Sequence, residues 1–276
     1  LGLMKALKNR GFSVQGYKVG PDYIDTAFHS KITGVDSRNL DLFLMGEDGV
    51  RASFSRGMCD YAVVEGVMGL YDGKGIDSKY STAHVSKTID LPVVLVLSPK
   101  AQVATLCAEI NGILNFDDIN IVGVIFNNIS EGYFRLLKKA VEKLCNIKVF
   151  GYLPKDEKLA IGSRHLGLIQ SSEIEMLNEK INYCAELMEK YIDLDSLLLE
   201  FKSCMRFKDE FHVKNKGLKI AVAKDKAFSF YYKENIELLE EIGEVTYFSP
   251  LKDEKLPEHI DLLYIGGGDR KSTRLN

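Results

Sequence analysis

Two carboxylates and a run of glycines mark Tyr61-Ala-Val-Val-Glu-Gly-Val-Met-Gly-Leu-Tyr-Asp-Gly73 as a place for chemistry. Residues 61–64 read as a short buried strand that ends on Glu65. Glycine then recurs at 66, 69 and 73, with Asp72 among them. In an open α/β sheet, ligands sit beyond the carboxyl ends of the strands. A carboxylate at that point faces the site, and glycines let backbone approach closely. Glu65 and Asp72 are therefore the first candidates for a Mg²⁺ or nucleotide site; an acidic turn after a core strand is the competing reading.

A second group gathers after an earlier strand, residues 12–19. Gly20-Pro-Asp-Tyr-Ile-Asp-Thr-Ala-Phe-His29 stops that strand. Lys18, Asp22, Asp25 and His29 thus crowd one strand end. A lysine with carboxylates suits a phosphate together with Mg²⁺; a solvated loop with His29 packed locally is the alternative. Ser37-Arg-Asn-Leu-Asp41 offers Ser37 or Asn39 as a helix cap and Arg38 as an anion binder. Asn128 closes another strand and could pair with a base edge, its amide being both donor and acceptor; a plain Asn turn competes. His165, in Arg164-His-Leu-Gly-Leu168, either orients an anionic substrate or is structural. Glycines 266–268 end a late strand, where their N–H groups could face a developing anion.

These residues need a scaffold, and the chain alternates strand and helix to supply one. Apolar runs at 92–99, 121–128 and 148–154 lack the in–out alternation of a one-sided sheet. All three read as strands, and the uninterrupted run at 92–99 fits one covered by helices on both faces. Helices are predicted at 1–10, 46–57, 81–89, 101–114, 130–144 and 172–203, the last broken at 192–195 and with Ser172 as a possible cap. The alternation indicates a mostly parallel sheet with right-handed crossovers. Residues 204–217 have no period and read as a linker. A fresh α/β pattern follows: strand 219–225, helix 231–242, strands 245–249 and 260–268.

With 276 residues, the chain has room for one large domain or two smaller ones. A net charge of -3 gives no general pull toward nucleic acid or an anionic membrane. The five cysteines, at 59, 107, 145, 184 and 204, form no Cys-x-x-Cys pair, which argues against a disulfide framework or structural zinc. No run of 18 apolar residues spans a membrane, no signal peptide is visible, and a cytoplasmic location is expected. Residues 1–10 read as the latter part of a helix, so an upstream segment is expected. Asp269-Arg-Lys-Ser-Thr-Arg-Leu-Asn276 has no periodicity and back-translates to a common sequencing-adapter sequence, so 269–276 is treated as an artefact.

Six blocks stand in order: Gly20-Pro-Asp-Tyr-Ile-Asp25, Ser37-Arg-Asn-Leu-Asp41, Glu65 to Gly73, Arg164-His-Leu-Gly-Leu168, Lys226-Ala-Phe-Ser-Phe-Tyr-Tyr232 and Tyr264-Ile-Gly-Gly-Gly268. Together they resemble the cobyrinate a,c-diamide synthases, over nearly all of residues 1–268. The resemblance implies an α/β P-loop-type part like dethiobiotin synthetase (1–203), a linker (204–217) and the start of a class I glutaminase domain (218–268). It also implies glutamine hydrolysis coupled to ATP-dependent amidation of two carboxylates of cobyrinate or a related anionic tetrapyrrole, through acyl phosphates.

By the same resemblance, Glu65 and Asp22 bind Mg²⁺, Asp22 and Asp72 lie at the reaction centre, and Asn128 recognises adenine. The resemblance also puts Tyr23 and His165 on the substrate side, while the strand-end cluster itself places Lys18 at the nucleotide. The family's Gly-rich loop would precede Leu1 and its nucleophilic cysteine would follow Gly268, so residues 1–276 alone are expected to be inactive. Two alternatives share parts of the pattern. One is amidation of nickel-sirohydrochlorin in coenzyme F430 synthesis; the other is a non-enzymatic P-loop partitioning or regulatory protein. A homodimer is left open.

Overall fold

The structure, a computed structural model, describes residues 1–159, 171–203, 205–209 and 211–268. Among the described residues, every pair of named strands is parallel, in three three-stranded sheets. The chain forms two compact units that do not follow chain order. One gathers residues 1–12, 69–159 and 173–206; the other gathers residues 13–68 and 207–268.

In the first unit, β5 (Ile121–Ile129) runs between β4 (Val93–Leu97) and β6 (Val149–Pro154). Successive strand residues point to opposite faces. Val124 and Phe126 join Val149 and Tyr152 against α5 (Ala104–Phe116) and α6 (Glu131–Leu144). Ile125 and Phe150, between them, pack on Ala6 of α1 (Gly2–Asn9) and on Ala185 and Met188 of α7 (Ser171–Tyr191). Both faces are covered, which is why these strands read as continuous apolar runs. The unit also holds α4 (Thr82–Ile89), capped by Ser81, and α8 (Leu194–Leu198), capped by Asp193, whose carboxylate accepts from the Ser196 N–H. The helix break expected at 192–195 falls at that cap.

The second unit holds the other two sheets. In one, β1 (Val14–Val19) runs between β2 (Arg38–Leu40) and β3 (Tyr61–Glu65), with α2 (Ile24–Thr33) and α3 (Leu42–Arg56). In the other, β7 (Leu218–Ala223) runs between β8 (Gly243–Phe248) and β9 (Leu262–Tyr264), with α9 (Lys233–Ile242). Ile220 and Val222 face Ile236 of α9, while Ala221 and Ala223 face Phe248.

Three expectations shift. A three-residue strand replaces the polar break at 37–41, and neither Ser37 nor Asn39 caps a helix. Asp41 does, its Oδ1 accepting from the N–H groups of Phe43 and Leu44 at 2.9 and 3.0 Å. The helix therefore starts at Leu42, with a bend at Gly46, where φ is 67°. Of the strand expected at 260–268, only Leu262–Tyr264 pairs with β7, and Gly267 forms a single antiparallel bridge with Phe230. The expected linker carries no helix or strand among its described residues, yet it is pinned. The Phe207 N–H donates to Ser55 Oγ at 2.8 Å, and Asp209 accepts from Arg56 Nε at 2.6 Å.

Candidate active site

Lys18 on β1 is in register with Glu65 on β3. Two parallel strands thus bring an ammonium and a carboxylate together at their carboxyl ends. The Lys18 side chain is only 6% exposed, and a buried charge is costly unless paired. Its Nζ lies 2.7 Å from Asp25 Oδ2, 3.0 Å from the Gly66 carbonyl oxygen and 3.3 Å from Glu65 Oε1. Burial pushes the lysine pKa down, but Asp25 and Glu65 outweigh it and the net shift is upward. An ammonium has three protons to donate, and here protein acceptors take all three. Lys18 is therefore arranged to hold Glu65 and Asp25 in place.

The other oxygen of Glu65, Oε2, lies 2.8 Å from His29 Nε2. His29, on α2, is fully buried. Its Nδ1 is 3.2 Å from Ser37 Oγ, whose hydroxyl donates to the Gly16 carbonyl oxygen at 2.9 Å. The contacts at Nε2 and Nδ1 together fix the plane of the ring. A Cβ on Gly16 would lie 2.8 Å from His29 Cβ, so glycine in the middle of β1 is what admits the ring. Burial would raise the Glu65 pKa; the His29 hydrogen bond and the Lys18 charge prevail and hold it at about 2. Glu65 stays ionised, with its side chain 38% exposed.

Asp22 sits in the turn between β1 and α2. Its Oδ1 accepts from the N–H groups of Ile24 and Asp25 at 2.8 and 3.0 Å. Asn39, 2% exposed, donates from Nδ2 to the carbonyl oxygens of Gly20 and Asp22 at 2.9 and 2.8 Å. Tyr23 stacks on Phe230, ring centroids 5.1 Å apart and planes 8° from parallel. The anion met by Arg38 belongs to the chain itself: Glu234 and Glu237 of α9.

Asn128 and Asp72 lie in the first unit. Asn128 is exposed at the end of β5, with a left-handed φ of 59° that asparagine tolerates better than most residues. Asp72 is exposed, and its Oδ2 accepts from the Gly69 N–H at 2.8 Å. His165 lies outside the described residues. Of the late glycines, the Gly266 N–H already donates to Tyr231 Oη at 2.9 Å.

Among the described residues, no three His, Cys, Asp or Glu side chains form a metal cage. Mg²⁺ needs none: it takes one or two carboxylates and fills its shell with water and phosphate oxygens. Glu65, an ionised and accessible hard donor, fits that demand.

Sequence reasoning missed Ser37, Asn39 and Asp41 as the residues that hold the site. His29 was legible from its place in the cluster after β1; that Gly16 makes room for its ring was not.

Residues 1–169 match the model of the CobQ/CobB/MinD/ParA nucleotide-binding domain, and residues 219–276 that of the CobB/CobQ-like glutamine amidotransferase domain. The chain is 70% identical over 268 residues to cobyrinate a,c-diamide synthase of Clostridium tetani, covering 97% of this chain and 61% of that protein. It is 69% identical over 271 residues to the Clostridium acetobutylicum enzyme of the same name, covering 97% and 62%. With that of Caldanaerobacter subterraneus subsp. tengcongensis it shares 45% identity over 275 residues, covering 97% and 61%. The chain spans about three fifths of the length of these relatives. Among the described residues, no helix is long and apolar enough to cross a membrane.

Proposed function

The chain belongs to the CobQ/CobB/MinD/ParA nucleotide-binding domain family, and on that premise we propose that the protein is an ATP-dependent, glutamine-hydrolysing carbon–nitrogen ligase. Its substrate is cobyrinate, amidated at the a and c carboxylates as in cobalamin biosynthesis, in the cytoplasm. The observation that carries this reading is Glu65, kept ionised by Lys18 and His29 at the carboxyl end of a parallel sheet, in a chain that continues into an amidotransferase segment.

The chemistry follows from the substrate. A carboxylate is a poor electrophile until one oxygen becomes a good leaving group. Transfer of the γ-phosphoryl of ATP to that oxygen gives an acyl phosphate and ADP. Ammonia released from glutamine then attacks the carbonyl carbon, phosphate leaves, and the amide remains. Mg²⁺, when bound, offsets charge on the transferring phosphoryl; Glu65 and Asp22 would hold it.

In this reading Lys18 and His29 keep Glu65 ionised and aimed. Asp22 and Asp72 serve the reaction centre, Asn128 reads the adenine edge, and Tyr23 and His165 contact the tetrapyrrole. Residues 1–203 form the synthetase part, like dethiobiotin synthetase, 204–217 the linker, and 218–268 the start of the glutaminase part.

The test is direct. The full-length protein is incubated with Mg-ATP, glutamine and either cobyrinate or nickel-sirohydrochlorin, and the products are weighed. Conversion of cobyrinate to a diamide is the expected result. Amidation of neither tetrapyrrole sinks the proposal, and exclusive use of nickel-sirohydrochlorin replaces the substrate.

A further inference from the structure

Four residues of the segment that enters and forms α9 grip the strand and turn beside Asp22. Phe230 lies flat on Tyr23, the residue after Asp22. Tyr232 donates from its hydroxyl to Asp41 Oδ2 at 2.8 Å and packs on Tyr23, centroids 5.3 Å apart. Glu237 takes Arg38 in a two-point pair, at 2.6 and 3.0 Å, and Glu234 Oε1 accepts from Arg38 at 3.0 Å and from Ser53 Oγ at 2.6 Å. Arg38 is nearly buried, and a planar two-point pair fixes geometry as well as charge.

The neighbour of Arg38 on β2 is Asn39, and adjacent strand residues point to opposite faces. One short strand therefore carries the α9 clamp on one side and, on the other, the amide that holds the Gly20 and Asp22 carbonyl oxygens. The Gly20 N–H also donates to the Leu40 carbonyl oxygen at 3.1 Å. The second α/β segment thus meets the turn twice, directly through Tyr23 and indirectly through β2.

We infer that Phe230 and Glu237 are positioning residues for the Asp22–Tyr23 turn, so that the amidotransferase segment sets the geometry of the tetrapyrrole side of the synthetase site. The inference rests on the reading of Tyr23 as a substrate contact for its kinetic consequence, but not for its structural one. Phe230 fixes the plane of the Tyr23 ring. Glu237 fixes β2 and, through Asn39, the backbone that carries Asp22.

The test uses the full-length protein with free ammonia as the nitrogen donor, so that glutamine hydrolysis is bypassed and can be assayed separately. Phe230→Leu keeps apolar volume and removes the ring stack. It should raise the KM for the tetrapyrrole about fivefold, the scale of one aromatic pair, with kcat for ammonia-dependent amidation and for glutamine hydrolysis unchanged. Hydrogen exchange at the Ile24 and Asp25 amides, both bonded to Asp22, should quicken by a similar factor. Phe230→Tyr, which keeps the stack, should restore wild-type values. Should Phe230→Leu not accumulate as folded protein, Glu237→Gln is read by the same two measurements with the same expectation. Unchanged KM and unchanged exchange overturn the inference, as does a parallel loss of both half-reactions. If the wild-type protein amidates no tetrapyrrole, the proposed function fails while the exchange measurement still decides the positioning role.

Discussion

His29 Nε2 lies 2.8 Å from Glu65 Oε2 although 36 residues separate them in the chain. The helix that carries the imidazole and the strand that carries the carboxylate meet across β1, at the one position where β1 has no side chain. Glu65 consequently has a cation or ring on each oxygen, Lys18 on one and His29 on the other. A carboxylate held from two sides is oriented as well as ionised, which is the arrangement a metal ligand needs.

Gly16→Ala should show how much of this depends on space. The new methyl would meet His29 at 2.8 Å with both groups buried. Overpacking of this kind costs about 1–3 kcal/mol. Urea unfolding should report a loss in that range, and unchanged stability would mean that α2 can move away without cost.

Glu65→Gln separates the two half-reactions. The amide keeps the shape and loses the charge, so it cannot serve as an anionic ligand to Mg²⁺. In the full-length protein, ATP-dependent amidation should be lost while glutamine hydrolysis remains measurable. Unchanged amidation with saturating glutamine or ammonia would remove Glu65 from the metal site.

Asn128→Ala tests the base-reading role. Loss of a paired amide is worth roughly one tenfold change in affinity, about 1.4 kcal/mol. The Kd for Mg-ATP measured by calorimetry should rise by that factor, and the preference for ATP over GTP should relax. An unchanged preference would leave Asn128 as a turn residue, for which its left-handed backbone is explanation enough.

Glu237 sets a pH dependence. Burial raises its pKa, but hydrogen bonds and charge from Arg38 and Arg56 outweigh this and hold it below the ordinary 4.5. A carboxylate whose folded pKa is depressed stabilises the fold above its unfolded pKa. That contribution is lost as pH falls through the lowered folded value. Glu237→Gln should therefore cost roughly 1.5–3 kcal/mol near pH 7 and flatten the decline of stability below about pH 4.5. Parallel stability curves for the two proteins across that acid range would show that the ion pair contributes nothing.

Much of the fold is legible in local pattern. Phe126 and Ile125 sit on opposite faces of β5, and an uninterrupted apolar run is what a two-faced strand must look like. Glu65 ends its strand where the glycines begin, so its place at the carboxyl edge could be read directly. The break near Asp193 was visible because a helix needs a new cap to restart.

What the chain order could not reveal is who meets whom. Arg38 reads as an anion binder, and it is one, but its anions lie 196 and 199 residues away on α9. Asn39 reads as a helix cap because asparagine often is one, yet β2 turns its amide onto the Gly20–Asp22 turn. Lys18 reads as a phosphate lysine from its neighbours in the chain, and only the fold shows its ammonium against Asp25, Glu65 and the Gly66 carbonyl oxygen. Hydrophobic periodicity is a property of neighbours in sequence and survives in the sequence alone. The partner of a charge is set by strand order, β2-β1-β3, and by which face each helix covers, and those are decided only when the chain packs.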